Sequence, residues 1–111
     1  MVSRREKLQN DARTRVLRLL SKNPHLSTRR VADDVGISNG SAYYLLTALV
    51  EKGFVKLENF KNSSRKGQYA YLLTSRGIRE KSLLTQRFIE RKREEFEELR
   101  VEIEVLEKEM S

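Results

Sequence analysis

Two serines and two glycines divide the middle of this chain into two short helical segments, and this pattern constrains the fold more than any other feature. Ser27 is placed to cap a segment spanning Thr28–Val35, and Gly36 suits the left-handed residue that ends such a helix. Ser38 repeats the cap two residues later, and the segment that it opens ends at Gly53. Two helices joined by so tight a turn predict a helix-turn-helix unit.

The segments on either side complete a small domain and a long helix. Apolar residues at helical spacing predict a first helix over residues 11–22, before Asn23-Pro24. After Gly53 the period becomes that of two strands, residues 54–61 and 68–73, and Thr74 then caps a helix that contains no proline. The predicted fold is mainly α with a small β-hairpin, a winged helix-turn-helix domain followed by a long C-terminal coiled-coil helix. We expect a flexible extension over 1–10, a DNA-binding domain over 11–75 and a dimerisation helix over 76–111.

Charge is distributed unevenly along the chain. The net charge is +7, and residues 1–75 hold 14 lysines and arginines against 6 aspartates and glutamates, whereas residues 76–111 hold 9 against 10. The positive field therefore belongs to the helix-turn-helix segment. Phosphate is the polyanion that such a field most often meets, so double-stranded DNA is the expected partner.

Catalytic and metal chemistry find little support. The chain has no cysteine and a single histidine, His25, so a metal site is poorly supported and we expect no cofactor. Neither a glycine-rich phosphate loop nor a nucleophile beside a base is present, and we expect that the protein is not an enzyme. There is no apolar run long enough for a membrane span, and the first residues lack the apolar stretch of a signal peptide, which predicts a cytoplasmic protein.

The second helix of the unit, residues 38–52, is predicted to enter the major groove of DNA. Its residues Ala42, Leu46 and Leu49 share one face, which we expect to lie in the core. The outward residues are short and polar or aromatic, suited to hydrogen bonding and stacking rather than to bidentate reading of guanine by arginine. The predicted DNA contacts are Ser38, Asn39, Gly40, Ser41, Tyr43, Tyr44 and Thr47. Half-burial of either tyrosine is the alternative interpretation.

Two other segments are predicted to contact phosphate. Thr28, Arg29 and Arg30 lie in the first turn of the preceding helix, where free amides favour an anion and two arginines are locally unfavourable. The hairpin tip, residues 61–68, is predicted to be a wing on the DNA backbone or in the minor groove. Its contacts would be Lys61, Ser64, Arg65 and Lys66, with Arg65 inserted into the groove. For both segments the alternative is an ordinary solvated basic surface.

The C-terminal helix carries a heptad pattern. Its apolar residues are separated by 7, 3, 4, 3 and 4 positions, with a polar interruption at Lys92, and they predict a coiled coil between two copies. The predicted dimerisation residues are Ile89, Phe96, Leu99, Ile103, Leu106 and Met110. Pairs at the flanking positions do not decide between parallel and antiparallel helices. The basic segment 87–93 and the acidic segment 94–111 modestly favour the antiparallel arrangement.

Residues 38–77 resemble the MarR-type winged helix. The resemblance rests on the capped reading helix, on Leu49–Val55 (LVEKGFV) after it, and on Leu73–Gly77 (LTSRG) at the exit from the second strand. When Asn59–Ser63, Tyr69–Thr74 and the acidic C-terminal coil are included, the chain is similar to small MarR-like regulators associated with exopolysaccharide gene clusters. This resemblance implies a bacterial transcriptional regulator of such genes. Larger MarR proteins dimerise through helices at both ends and often bind phenolic ligands; the N-terminal extension here is short, so we expect no small-molecule effector.

The leading hypothesis is a homodimer whose two reading helices enter successive major grooves about 34 Å apart on a pseudo-palindrome. The alternative is a protein–protein adaptor that keeps the winged-helix scaffold without binding DNA. The sequence leaves open the operator, the target genes, a signal, and whether the outcome is repression or activation.

Overall fold

The elements of the fold follow the predicted order. The computed structural model describes residues 4–59 and 69–111, and the described residues form four helices and one two-stranded sheet. The elements are α1 Arg4–Lys22, α2 Thr28–Val35, α3 Asn39–Glu51, β1 Val55–Asn59, β2 Tyr69–Leu73 and α4 Ser75–Met110. The predicted fold class is confirmed: a mainly helical winged helix-turn-helix domain is followed by a long C-terminal helix. The coiled coil stays a prediction.

The caps of α2 and α3 lie where the sequence predicts them. Ser27 accepts a hydrogen bond from the backbone N–H of Arg30, and Ser38 accepts one from that of Ser41, each at 3.1 Å. Between them Gly36 has a φ of 82°, a left-handed conformation that a side chain would strain, and its N–H donates to the Ala32 carbonyl. The turn is therefore set by local chemistry.

The core of the domain gathers one face of each element. α1, α2 and α3 contribute most of it, β1 adds Val55, and α4 adds Leu84. The cluster consists of Val16, Leu17, Leu20, Val31, Ala32, Ala42, Leu46, Leu49, Val55 and Leu84, and Ala70 on β2 is buried as well. Because α3 is held by Ala42, Leu46 and Leu49 as predicted, its orientation about its own axis is fixed.

The first helix is longer than the sequence pattern indicates. It begins at Arg4, whereas we predicted a flexible extension before a helix starting at Asp11. The residues involved, RREKLQN, are mostly strong helix formers with neither glycine nor proline, so nothing in them stops the helix. Leu8 in this added part is 61% exposed, so it is not held by the core.

The hairpin is antiparallel, with Val55 opposite Leu73 and Asn59 opposite Tyr69. β1 begins one residue later than predicted because the Phe54 backbone is engaged elsewhere: its N–H donates to the Leu49 carbonyl at 3.0 Å. The predicted wing over residues 61–68 lies outside the described residues.

A tight junction joins the start of β1 to the start of α4. The Thr74 hydroxyl donates to the Gly53 carbonyl at 2.6 Å and accepts from the Gly77 N–H at 3.0 Å, which caps α4. The Thr74 N–H donates to the Phe54 carbonyl at 3.1 Å. A Cβ at Gly77 would lie 1.9 Å from that same carbonyl oxygen, so only glycine fits this approach.

α4 is a single uninterrupted helix of 36 residues, about 54 Å long. Its first part packs on the domain through Leu84, and α1 runs beside it as far as an ion pair between Arg91 and Asp11. Further along, the side chains lie in solvent. Within the described residues, no helix combines the length and apolar character that crossing a membrane requires.

Candidate nucleic-acid interface

The outer face of α3 is a continuous polar and aromatic surface. Because the opposite face is buried, Tyr43 and Tyr44 project outward and are 65% and 77% exposed, which rules out the half-buried alternative for both rings in this chain. The other predicted contacts on this helix and its cap are also exposed: Ser38, Asn39, Gly40, Ser41 and Thr47. The only carboxylate of α3, Glu51, lies in its last turn, so these outward positions carry no negative charge.

The outward residues of α3 form two lines along the helix. Tyr43 and Thr47 are four residues apart on one line, and Gly40 and Tyr44 are four apart on the next. The Ser38 hydroxyl also donates to the Ser41 hydroxyl at 2.9 Å, so the first turn presents its serines in a fixed arrangement. Such a face offers hydroxyl and amide groups to base edges and phosphates, and aromatic rings for stacking.

The first turn of α2 places its arginines in solvent. Arg29 is exposed and forms no ion pair with a described residue, whereas Arg30 lies 3.4 Å from Asp34 across one helical turn. Arg30 is therefore the weaker candidate for a phosphate contact, because its guanidinium is shared with a carboxylate. Thr28 is partly buried. The predicted wing residues Lys61, Ser64, Arg65 and Lys66 lie outside the described residues, so their arrangement stays a prediction.

A group of cations beside α3 was missed by the sequence analysis. A groove of about 1020 Å³ separates the N-terminal half of α1 from α3, with an apolar floor that includes Leu8 and Ala48. Arg4, Arg5 and Arg13 line its α1 side, while Tyr44 lines the α3 side. The signal was available, because residues 4, 8 and 12 and residues 5, 9 and 13 form helical rows once the helix is extended back to Arg4. That these arginines lie beside α3 could be seen only from the folded structure.

The predicted dimerisation residues share one uncovered row of α4. Their exposed fractions run from 44% at Ile89 to 90% at Met110. Nearer the domain, Leu84 is buried and Phe88 is partly buried against α1, while Ile78 and Leu83 remain largely exposed. The domain therefore leaves this row uncovered.

Three helices with a capped tight turn between the second and third, followed by a hairpin, define the winged helix-turn-helix fold. A family model described as winged helix-turn-helix DNA-binding matches residues 9–56, which run from α1 into β1. The match covers the helix-turn-helix unit and a little under half of the chain. No curated protein matches the chain.

Solved structures of MarR-family regulators share the fold. A MarR/EmrR family transcriptional regulator from Acinetobacter sp. ADP1 is 22% identical with a TM-score of 0.66, over 77% of this chain and 58% of its own. The PcaV transcriptional regulator from Streptomyces coelicolor, in complex with its natural ligand, is 23% identical with a TM-score of 0.60, over 70% of this chain and 54% of its own. A mutant of S. aureus MepR bound to an oligodeoxyribonucleotide is 16% identical with a TM-score of 0.59, over 96% and 89%.

These similarities define the fold and the class of its neighbours. The chain spans 58% and 54% of the first two of these regulators, which are longer proteins. The neighbours are MarR-family transcriptional regulators, one of them bound to DNA, and they support the winged-helix assignment independently of the sequence motifs. The similarity to these structures does not connect the chain to the exopolysaccharide-associated subgroup.

Proposed function

We propose that this protein is a homodimeric, sequence-reading transcriptional regulator that binds double-stranded DNA through α3. The observation that carries the proposal is the outer face of α3, exposed and free of carboxylates on a winged helix-turn-helix domain. Arg29 is exposed in the first turn of α2, and Arg4 and Arg5 of α1 line the groove beside α3. In this arrangement α3 reads base edges while the flanking cations hold phosphates.

The first experiment is selection of random duplex DNA on the purified protein, followed by affinity measurements across salt concentrations. Enrichment of a two-fold-related motif with a steep salt dependence is the expected result, because each phosphate contact releases counterions. Absence of enrichment together with absence of salt dependence would favour the alternative, a winged-helix protein–protein adaptor.

A charge-matched pair of variants separates a phosphate contact from a general change in net charge. Arg29→Ala removes an exposed cation from the first turn of α2, and Lys108→Ala removes one near the far end of α4. Arg29→Ala is expected to weaken binding to all sequences and to lower the salt slope by about 1, whereas Lys108→Ala should leave the slope unchanged. Equal effects of the two variants would show that α2 makes no phosphate contact.

A substitution on the outer face of α3 tests whether that face contacts base edges. Tyr43→Ala is expected to reduce the preference for the selected motif over random DNA while leaving the salt slope near its original value, because a base contact carries sequence information and a phosphate contact does not. A lower salt slope with an unchanged preference for the selected motif would mean that Tyr43 contacts the DNA backbone instead.

Dimerisation through the exposed row of α4 is the second part of the proposal. Replacement of Leu99 and Ile103 by lysine is expected to give monomers in sedimentation equilibrium, since it places charges in the apolar row. Val101 and Val105 provide the matched control: they have the same spacing, are 46% and 50% exposed, and lie on the opposite face of α4. Lysines at those positions should leave the dimer intact, and equal disruption by both pairs would place the interface elsewhere.

The target genes and the signal are finer proposals. From the resemblance of the sequence, we propose genes of exopolysaccharide biosynthesis as the targets, to be tested by binding to their promoter fragments.

The absence of a small-molecule effector stays a prediction. The groove between α1 and α3 has cationic and aromatic lining at Arg13 and Tyr44 that would suit an aromatic acid. Salicylate titration of the protein–DNA complex tests this point, and saturable release of DNA would contradict the prediction.

A further inference from the structure

The apolar row of α4 is exposed, and the residues along it indicate the direction in which a second helix would pack on it. We propose that a second copy of this chain lies antiparallel along the row, with Met110 of each copy opposite Lys92 of the other. The inference rests on the proposed dimer and adds its direction and register. The facing layers are then Phe96 with Leu106 and Leu99 with Ile103.

Lys92 is the residue that distinguishes the two directions. It occupies a position in the row between Ile89 and Phe96, where a coiled coil places core residues. In a parallel, in-register pair the two Lys92 side chains would share one core layer, and two ammonium groups would be desolvated beside each other. In the proposed register each Lys92 instead meets the flexible side chain of Met110, at the end of the overlap where its head reaches solvent.

The part of α4 nearest the domain is rich in cations. Near the domain, Arg15, Arg91 and Lys92 all lie within 5.1–5.9 Å of the centre of the Phe88 ring. Arg91 is paired with Asp11, and Lys92 lies 3.1 Å from Glu95. Three cations in this region, Arg15, Arg87 and Arg93, form no ion pair with any residue that the structure describes. Residues 87–93 hold four lysines and arginines against one glutamate, so this segment carries net positive charge.

The far end of α4 holds the opposite charge. Arg100 already forms ion pairs within its own helix, with Glu97 at 2.5 Å and with Glu104 at 2.6 Å. The hydrogen bond from Arg100, and secondarily its charge, lower the pKa of Glu97. Beyond Arg100, Glu107 and Glu109 form no ion pair with a described residue. A parallel pair would bring these acidic ends together. The antiparallel register places Glu107 of one copy beside Arg93 of the other, but it also places Glu95 beside Glu109 and Glu102 beside its own copy, so Lys92 and not the flanking pairs decides the direction.

The register fixes distances that differ sharply from those of a parallel pair. Its two-fold axis crosses α4 at the level of Val101, so positions close to the domain are far apart in the dimer. At 1.5 Å per residue the two Gln86 positions lie about 45 Å apart along the coil and the two Lys108 positions about 21 Å apart. In a parallel pair both separations would be about 10–20 Å, the spacing of neighbouring helices and their side chains.

Pulsed electron paramagnetic resonance on spin-labelled full-length protein tests the proposal. Because the chain has no cysteine, Gln86→Cys and Lys108→Cys each give a single labelled site per chain. A long Gln86 distance with a short Lys108 distance supports the antiparallel register. Short distances at both sites overturn it in favour of a parallel pair, and a dimer with neither expected distance overturns the register. A protein that sediments as a monomer overturns both this inference and the dimer of the proposed function, while the DNA selection still tests DNA binding separately.

A charge-exchange cycle provides a second test that needs no label. Arg93→Glu and Glu107→Arg are each expected to raise the dissociation constant of the dimer about threefold to tenfold, because two symmetric contacts become repulsive. The double variant restores the dissociation constant only if the two residues face each other across the interface. In a parallel pair they lie about 21 Å apart along the helix, so the effects would add, and additive effects would overturn the register.

Discussion

Gly77→Ala is expected to destabilise the domain, although the same substitution in a helix is ordinarily favourable. The added Cβ would lie 1.9 Å from the Phe54 carbonyl oxygen, and contacts shorter than 3.0 Å essentially never occur. The start of α4 must therefore move away from β1 by about 1 Å, which stretches the 3.1 Å hydrogen bond from Thr74 to Phe54 and the 2.6 Å bond from Thr74 to Gly53.

The size of the loss follows from those contacts. Two partly buried hydrogen bonds contribute about 1 kcal/mol each, and displacement of α4 disturbs the packing of Leu84 by about 1 kcal/mol more. Against this, alanine gains about 0.5–1 kcal/mol over glycine in a helix. We therefore expect the free energy of unfolding to fall by about 2 kcal/mol.

Gly40→Ala is the matched control for this substitution. Gly40 also lies in the first turn of a helix, but no atom lies within 4 Å of a Cβ placed there. This variant should be unchanged or more stable by up to about 1 kcal/mol. Urea unfolding at one fixed protein concentration measures both variants, since the proposed dimer would make stability depend on concentration. A Gly77→Ala protein as stable as the original would refute the argument from close approach.

Three further predictions follow from the ion pairs and the N-terminal helix. Asp11→Ala leaves Arg91 beside other cations and should lower the free energy of unfolding by about 1 kcal/mol in urea titration, whereas the exposed Asp33→Ala should not change it. The carboxylate of Glu97 should titrate below its ordinary pKa of 4.5, so its contribution to helix stability is present above the unfolded pKa and is lost as pH falls through the folded one; carbon NMR should show the pKa return toward 4.5 in Arg100→Gln. Replacement of Arg4 and Arg5 by alanine should lower the salt slope of DNA binding by about 2 without altering the selected motif, and a full original slope would exclude them from the interface.

The helix-turn-helix unit could be predicted from sequence because its signals are local. A serine before each helix and a glycine after α2 satisfy backbone groups within a few residues, so no knowledge of the rest of the fold is needed. The outward face of α3 followed from the spacing of Ala42, Leu46 and Leu49 alone. The exposure of both tyrosines needed the structure, since an amphipathic ring can serve either in a core or at a surface.

Other features depend on contacts between distant segments. The start of α1 was misplaced because the rows that Leu8 and Arg5 belong to face a groove, not the core, and so lack an apolar signature. The need for glycine at position 77 comes from the backbone of Phe54, which lies 23 residues away in sequence. The pairing of Arg91 with Asp11 likewise joins two helices from opposite ends of the chain.

Because α4 is unbroken, it would rigidly connect the proposed DNA-binding surface to the proposed dimer interface. Leu84 packs in the domain core and the exposed apolar row begins at Ile89, with no break in the helix between them. One residue inserted there would rotate α3 by about 100° relative to the dimer axis and turn it away from the DNA, whereas seven would return it to within about 20° and move it about 10 Å. Divergence among proteins of this design should therefore proceed by whole heptads in α4, each step resetting the operator spacing while preserving the surface that reads it.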